Sequence, residues 1–492
     1  MNLLRMPPAD QPPEPDTFHW LVEMNKASAV MLVERAVIAP ALGRTIAQAI
    51  AEVAAQGAQP GGARPGDYLE FEKRLVAIAG PDVSRLHTGR SRQDLGATLQ
   101  RLALRHEFLH VFARLNAARA ALLDLAAQYP HAVIPAYTWG VQAQPLTLGH
   151  YLLGFLGAFG RLAERMREAY PRINRSPFGT AAMGTSSFDV DRLQLAELLG
   201  FDGLVENSFD AGQIAPIDLG AELAGLASSC GLTIGAFVAD LTTQYAQTRP
   251  WLLLMPGAQT GGSSIMPQKR NPFGLTFLRG RASRLIASAQ AFTLAAHNVA
   301  TGMGDYKPFI DPEQGNQPHA TVELMALVLD SLTEIVGTLQ FDPARARQEV
   351  DNEYATMTEL ADVLQRDGNV PFRIGHHFAA RLVDHLRASA QRSSEIAFAE
   401  AQRIWRDVAD ELNFEIRALP LSEVSFRRAL DADHMVQASK GIGGPQASEV
   451  ERMLGAARSG IDTDRQWQKA RVENLVGAKK GLEDYFERLA RS

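Results

Sequence analysis

The chain has almost no cysteine and no excess of positive charge, and it has no apolar run long enough to read as a membrane span. Among its 492 residues Cys230 stands alone in an apolar stretch, so an intrachain disulfide is impossible and a cysteine-built metal site is excluded. A formal net charge of −6, with both signs interspersed and no Lys/Arg-rich tract, gives no field suited to nucleic acid. The most membrane-like stretch, residues 223–239, is short and carries Ser228, Ser229 and Thr233, so it reads as a helix buried on all sides. Residues 1–16 hold prolines and acids but no apolar core of a secretory signal, which makes a cytoplasmic location the expectation. Apolar/polar alternation is rare and brief, so few strands are expected. Residues 257–262 lack the lysine-serine ending of a phosphate-binding loop, and no metal or flavin pattern is present.

What is present is helix-forming sequence. A hydrophobic fraction of 46% is enough to bury a large core in several domains. Helical periodicity marks residues 27–56, 68–79 and 98–129, then a long apolar helix from about 146 to 170. Residues 217–247, 273–296 and 317–339 are dense in Ala, Leu and Gly and too apolar for surface helices. They imply a bundle whose members are covered by one another or by further copies of the chain. After residue 358 the helices become shorter and more charged, over 357–366, 371–388 and 394–412. The expected fold is mainly α, in three parts: an N-terminal helical domain (1–110), a central long-helix bundle (111–360) and a C-terminal helical domain (361–492).

Between two of the apolar runs lies a polar segment that builds no core: Gly261-Gly262-Ser263-Ser264-Ile265-Met266-Pro267-Gln268-Lys269-Arg270-Asn271-Pro272. Its glycines allow a tight backbone, and its two prolines interrupt helix on either side. The serines, Lys269 and Asn271 put hydroxyls, a cation and an amide in one short loop. Free backbone N–H groups around the serines would suit a carboxylate. The bland alternative is a solvated hinge in which Ser263 caps the following helix. A second polar motif, Leu86-His87-Thr88-Gly89-Arg90-Ser91-Arg92-Gln93-Asp94, precedes a long helix, and a third segment runs from Ile134 to Pro145 through Thr138 and Gln144.

The Gly261–Pro272 string resembles the signature loop of the fumarase/aspartase superfamily, whose members release fumarate from a succinyl skeleton. The His87–Asp94 motif is similar to the argininosuccinate lyase version of its first substrate-binding segment, and Pro371–His377 resembles a C-terminal segment of the same lyases. The resemblance implies a cofactor-free carbon–nitrogen lyase acting on a small dicarboxylate. It also implies a homotetramer with each active site assembled from loops of different subunits. Ser263 matches the superfamily's base, with Lys269 and the loop backbone as the sources of its activation. Ser91, Arg92, Thr138, Ser264, Lys269 and Asn271 match positions that hold the fumarate half, Gln93 stands in place of an asparagine, and Gln144 belongs to the second segment. His87 reads as structural. The pair His376-His377 lacks a third ligand and points to different helix faces, so no metal is expected.

Two departures bear on the chemistry. Trp139 occupies the position of a histidine tied to acid catalysis, and tryptophan cannot shuttle a proton. His150, His297 or water is then left to protonate the leaving nitrogen, or it leaves unaided, or the site no longer turns over. His297 also replaces a tyrosine that holds the amine half, where Asp305, Tyr306 and Lys307 offer a different pocket. The expectation is a lyase for an N-substituted aspartate other than argininosuccinate. The alternatives are authentic argininosuccinate lyase with altered contacts and a catalytically silent metabolite-binding homologue.

Overall fold

The computed structural model describes residues 15–297, 301 and 317–491, so Asp305, Tyr306 and Lys307 lie outside the described residues. Three helices open the chain: α1 (Thr17–Glu34), α2 (Pro40–Ala58) and α3 (Tyr68–Ala79). Their starts follow local chemistry. Asp16 accepts the His19 N–H at 2.9 Å, Pro40 occupies the first turn of α2, and Asp67 accepts the Glu70 N–H at 3.0 Å. Gly80, at φ +83°, ends α3 ahead of Pro81. Phe18, Met24, Ile46, Ile50, Phe71 and Leu75 form the core these helices share.

The bundle is built from α4 (Arg92–Gln128), α5 (Leu148–Ile173), α7 (Ala215–Gln244), α8 (Phe273–Ala296) and α9 (Gln317–Val336), with short α6 (Arg192–Leu198) between α5 and α7. Phe112, Leu115, Phe159, Ile234, Phe237, Leu278, Leu285 and Leu332 fill its centre. Helix α4 starts at Arg92, six residues before the expected start, because Ser91 and Asp94 form a capping box that extends the helix into the polar motif. Cys230 is buried. One helical run, Asp210–Gln244, is long and apolar enough to cross a membrane, and half of its most apolar window (50%) is buried within the chain.

Strand content among the described residues is confined to three two-stranded ladders: β1 (Val133–Thr138) with β2 (Val141–Thr147), β3 (Leu252–Leu254) with β6 (Leu339–Phe341), and β4 (Gly261–Gly262) with β5 (Arg270–Asn271). After β6 come α10 (Pro343–Asn352), α11 (Met357–Gly368), α12 (Phe372–Ser389), α13 (Phe398–Glu411), α14 (Glu423–Ala429) and α15 (Ala432–Ala438). Leu360, Phe378, Leu382, Trp405 and Phe426 make a third core in this region.

The last element departs from the expected partition. Helix α16 (Ala447–Arg491) runs 45 residues and leaves the third core. Ile461 and Val450 enter the bundle core, while Leu482, Phe486 and Leu489 enter the N-terminal core. Trp467 packs on Phe112 with ring centroids 4.8 Å apart, and buried Asp464 pairs with Arg119 and, at 3.0 Å, with Arg167. The stretch 361–492 is therefore not one packing unit: its final 45-residue helix straps the other two cores together.

Candidate active site

The first polar motif folds as a 3₁₀ turn, Pro81–His87, that delivers Ser91 to the start of α4. Ser91 Oγ accepts the Gln93 N–H at 3.3 Å, and the Ser91 N–H donates to Asp94 Oδ1 at 2.8 Å. The other Asp94 oxygen accepts the Gly179 N–H at 3.0 Å, tying the motif to the segment after α5. Burial pushes the Asp94 carboxyl up to about 6, against the opposing pull of the Ser91 N–H, Arg90 and the Gly179 N–H. Arg90 is buried: its Nη1 donates to Asn25 Oδ1 and Ser28 Oγ, both at 3.0 Å, and its guanidinium lies 4.9 Å from the Tyr68 ring. His87 stacks on the same ring at 4.7 Å, and burial with nearby Arg90 lowers its pKa, which agrees with a structural imidazole. Arg90 and Asp94 are thus the internal struts of the motif. Sequence reasoning assigned them no role, although a charged pair flanking a cap is a visible signal. Arg92, by contrast, is exposed at the positive end of a 37-residue helix. Gln93 is partly spent, since its Nε2 donates to Gly212 O at 2.8 Å.

Thr138 sits at the tip of the β1–β2 hairpin, opposite Val141. The two residues between them, Trp139 (φ +55°) and Gly140 (φ +75°), both adopt left-handed backbone, the geometry of a two-residue I′ turn. Trp139 is fully exposed (101%) there. Gln144 is exposed on β2, and Thr147 caps α5 by accepting the His150 N–H at 3.1 Å. His150 Nε2 lies 2.9 Å from Gly443 O, so this imidazole fastens α5 to the turn before α16.

In the Gly261–Pro272 segment β4 and β5 pair Gly261 with Asn271 and Gly262 with Arg270, closing a loop over residues 263–269. Asn271 Nδ2 donates to Gly262 O at 3.3 Å. Ser263 Oγ accepts two backbone N–H groups, from Met266 at 3.1 Å and Ile265 at 3.4 Å. The free N–H groups expected around the serines therefore converge on the hydroxyl of the first one. Helix α8 begins after Pro272 with no side-chain cap, so Ser263 is not a helix cap. Ser264 and Lys269 are exposed, and among the described residues the Lys269 side chain has no ion pair. Phe273 packs against Gly261, where an added Cβ would come within 2.1 Å of its ring.

One chain does not bring these segments together. Ser91 and the hairpin lie at opposite ends of α4, whose 37 residues span about 55 Å at ~1.5 Å per residue. Helix α7 begins beside Gln93 and ends beside the hairpin, where Tyr151 donates to Asp240 Oδ2 at 3.0 Å. Helix α8 runs back antiparallel to it, as the approach of Gly220 to the Phe292 ring requires. The Ser263 loop therefore lies at the hairpin end, and exposed His297, after the 24-residue α8, lies at the Ser91 end. Among the described residues, no hydrogen bond or ion pair joins any two of the three segments. The candidate residues on each chain thus fall into two groups, or half-sites: Ser91, Arg92, Gln93 and His297 at one end, Thr138, Ser263, Lys269 and Asn271 at the other.

Comparisons with known proteins identify the family. A family model described as lyase matches residues 69–287, and one for the argininosuccinate lyase C-terminal region matches residues 354–437. The chain is 33% identical over 414 residues to argininosuccinate lyase of Methanoculleus marisnigri, covering 84% of this chain and 80% of that one. It is 32% identical over 454 residues to the Cupriavidus necator enzyme, covering 90% and 91%. Among solved structures, EDDS lyase in complex with formate superposes with a TM-score of 0.86 at 27% identity, over 96% of this chain and 92% of that one. A class II fumarase from Schistosoma mansoni shares the fold alone, with a TM-score of 0.65 at 18% identity over 86% and 91%. The chain belongs to the argininosuccinate lyase family of the fumarase/aspartase superfamily.

Proposed function

We propose that this protein is a cofactor-free carbon–nitrogen lyase that eliminates an amine from an N-substituted aspartate and leaves fumarate. The observation that carries the reading is the pair of backbone N–H groups aimed at Ser263 Oγ, because a serine hydroxyl serves as a base only where fixed donors stabilise its alkoxide. Ser263 takes the proton from the β-carbon, and negative charge builds on the adjacent carboxylate. The bond from the α-carbon to nitrogen then breaks, with the electron pair leaving on nitrogen. Arg92, Ser91 and Gln93 at the start of α4, with Thr138, Lys269 and Asn271, clamp the dicarboxylate as its charge rises; Ser264 and Gln144 border it. Trp139 carries no transferable proton and His150 is held by Gly443. His297 is assigned to the amine half, where an imidazole can protonate the departing nitrogen.

The assembly that unites the half-sites is a homotetramer in which antiparallel copies place the α4 start of one against the hairpin and loop of others. The half-covered α7 and the exposed apolar side chains of Leu232, Phe277 and Leu294 supply the surface for it. A cytoplasmic enzyme acting on a small dicarboxylate fits this description. Trp139 and His297 alter the amine side, so the substrate is an N-substituted aspartate other than argininosuccinate. Incubating purified protein with argininosuccinate and with a panel of N-alkyl and N-aminoalkyl aspartates, while following fumarate absorbance, tests this. Turnover of a panel member with poor turnover of argininosuccinate is expected; efficient turnover of argininosuccinate overturns the specificity, and no fumarate from any compound overturns the reaction.

A further inference from the structure

Behind the β1–β2 hairpin, between it, the start of α5 and the end of α7, lies a cavity of about 460 Å³. It is distinct from the face that Thr138 presents. Tyr137 lines this cavity and Thr138 does not. The lining has one sign of charge. Asp240, exposed at the mouth, is the single charged residue in the wall, and Tyr137, Tyr151 and Trp251 supply aromatic faces.

The base of the cavity is polar and unpaired. Gln244 is 4% exposed and Trp251 5% exposed. Oε1 of Gln244, Oε1 of Gln247 and Nε1 of Trp251 are all buried without a protein hydrogen-bond partner. The Tyr137 hydroxyl lies beside Gln247 and Trp251. An unpaired buried acceptor is costly, and folded proteins keep few of them. Here two amide oxygens share one cavity with a carboxylate, of which one oxygen already accepts the Tyr151 hydroxyl at 3.0 Å. The two amide oxygens and the carboxylate call for hydrogen-bond donors on a guest, the Trp251 Nε1–H calls for one acceptor, and aromatic faces beside a lone carboxylate attract a cation. The wall itself carries no Lys or Arg, and Arg345, whose charge reaches Tyr137, is paired with Glu349.

We infer that this cavity binds a small organic ammonium ion, whose N–H groups donate to Gln244, Gln247 and Asp240 while its carbon body lies against Tyr137, Tyr151 and Trp251. The inference concerns binding alone and stands whether or not the elimination chemistry proposed above is correct. Calorimetric titration of the purified protein with 2-phenylethylammonium tests it, with 2-phenylethanol as the neutral counterpart. Saturable binding of the ammonium ion is expected, with the alcohol weaker by about tenfold or more, the worth of one charge-assisted hydrogen bond. Asp240→Asn, a change at an exposed position, should weaken the ammonium ion by a similar factor without moving the unfolding midpoint, and Gln244→Leu should weaken it as well. Equal binding of ion and alcohol, no saturation, or unchanged affinity in Asp240→Asn would overturn the inference. So would displacement of the ammonium ion by fumarate, which would move it to the face of Thr138.

Discussion

Two inactive variants should restore activity when mixed. Ser263→Ala removes the proposed base and Arg92→Ala removes a carboxylate clamp, and each alone should lower kcat by about 10² to 10⁴. The two residues lie at opposite ends of the bundle, separated by much of the length of the 37-residue α4, about 55 Å. No side-chain or loop movement closes such a gap, so each working site must draw Arg92 from one copy and Ser263 from another. When the variants are unfolded together in equal amounts and refolded, the chains assort at random. The chance that the two copies contributing to a site both carry the intact residue is about one quarter, so the mixture should recover roughly 25% of the wild-type rate. Fumarate absorbance on the best substrate of the aspartate panel provides the assay, with the same variants refolded separately as the baseline. A mixture no faster than the sum of its components would mean that both residues act from one chain, and the composite-site argument would fail.

Other expectations follow from individual contacts. Asp94→Leu leaves the Ser91 and Gly179 N–H groups without their acceptor and should cost about 1–3 kcal/mol for each, read as a lower midpoint in urea. Burial, with Lys479 next in importance, lowers His19 from 6.5 to about 4. The unfolded chain therefore takes up this proton first, and stability should fall as pH drops from about 6.5 to 4, by roughly 1–2 kcal/mol after allowance for solvent screening. His19→Gln should flatten that part of the stability profile. Trp139→Asn places a residue tolerant of left-handed backbone at φ +55° and should raise the unfolding midpoint, by about 1 kcal/mol of stability. His297→Asn should lower kcat more than it raises KM on the best substrate of the aspartate panel.

How much was legible in the sequence depended on whether the signal was local. The Ser263 loop and the Ser91 motif stand out in the sequence because each is a contiguous polar run between apolar helices. The donors to Ser263 come from Ile265 and Met266, two and three residues on. The β1–β2 hairpin was not recognised as strands: Pro135 and Pro145 face each other across it, and a register shift between Pro135 and Tyr137 breaks the alternation that would mark them. Helix α16 escaped because its apolar seam is sparse. Leu454, Ile461, Leu475, Leu482 and Leu489 recur at sevens, and Gln468 takes the intervening place by donating to Leu109 O at 3.0 Å. Large apolar residues off that seam, such as Val450, Trp467 and Phe486, are scattered among charged and small ones, so the window reads as polar although the helix joins two cores. The separation of the half-sites was invisible for another reason: nothing in a local motif states which end of a helix its neighbours occupy.

The central claim, that Ser263 is the base of a fumarate-releasing elimination, is tested most directly by comparing fumarate release from the wild-type protein and Ser263→Ala on the same N-substituted aspartate, with helix content checked by circular dichroism. The account predicts steady fumarate production by the wild type and a loss of about 10² to 10⁴ in kcat in the folded variant. Fumarate release by the variant at the wild-type rate would contradict it.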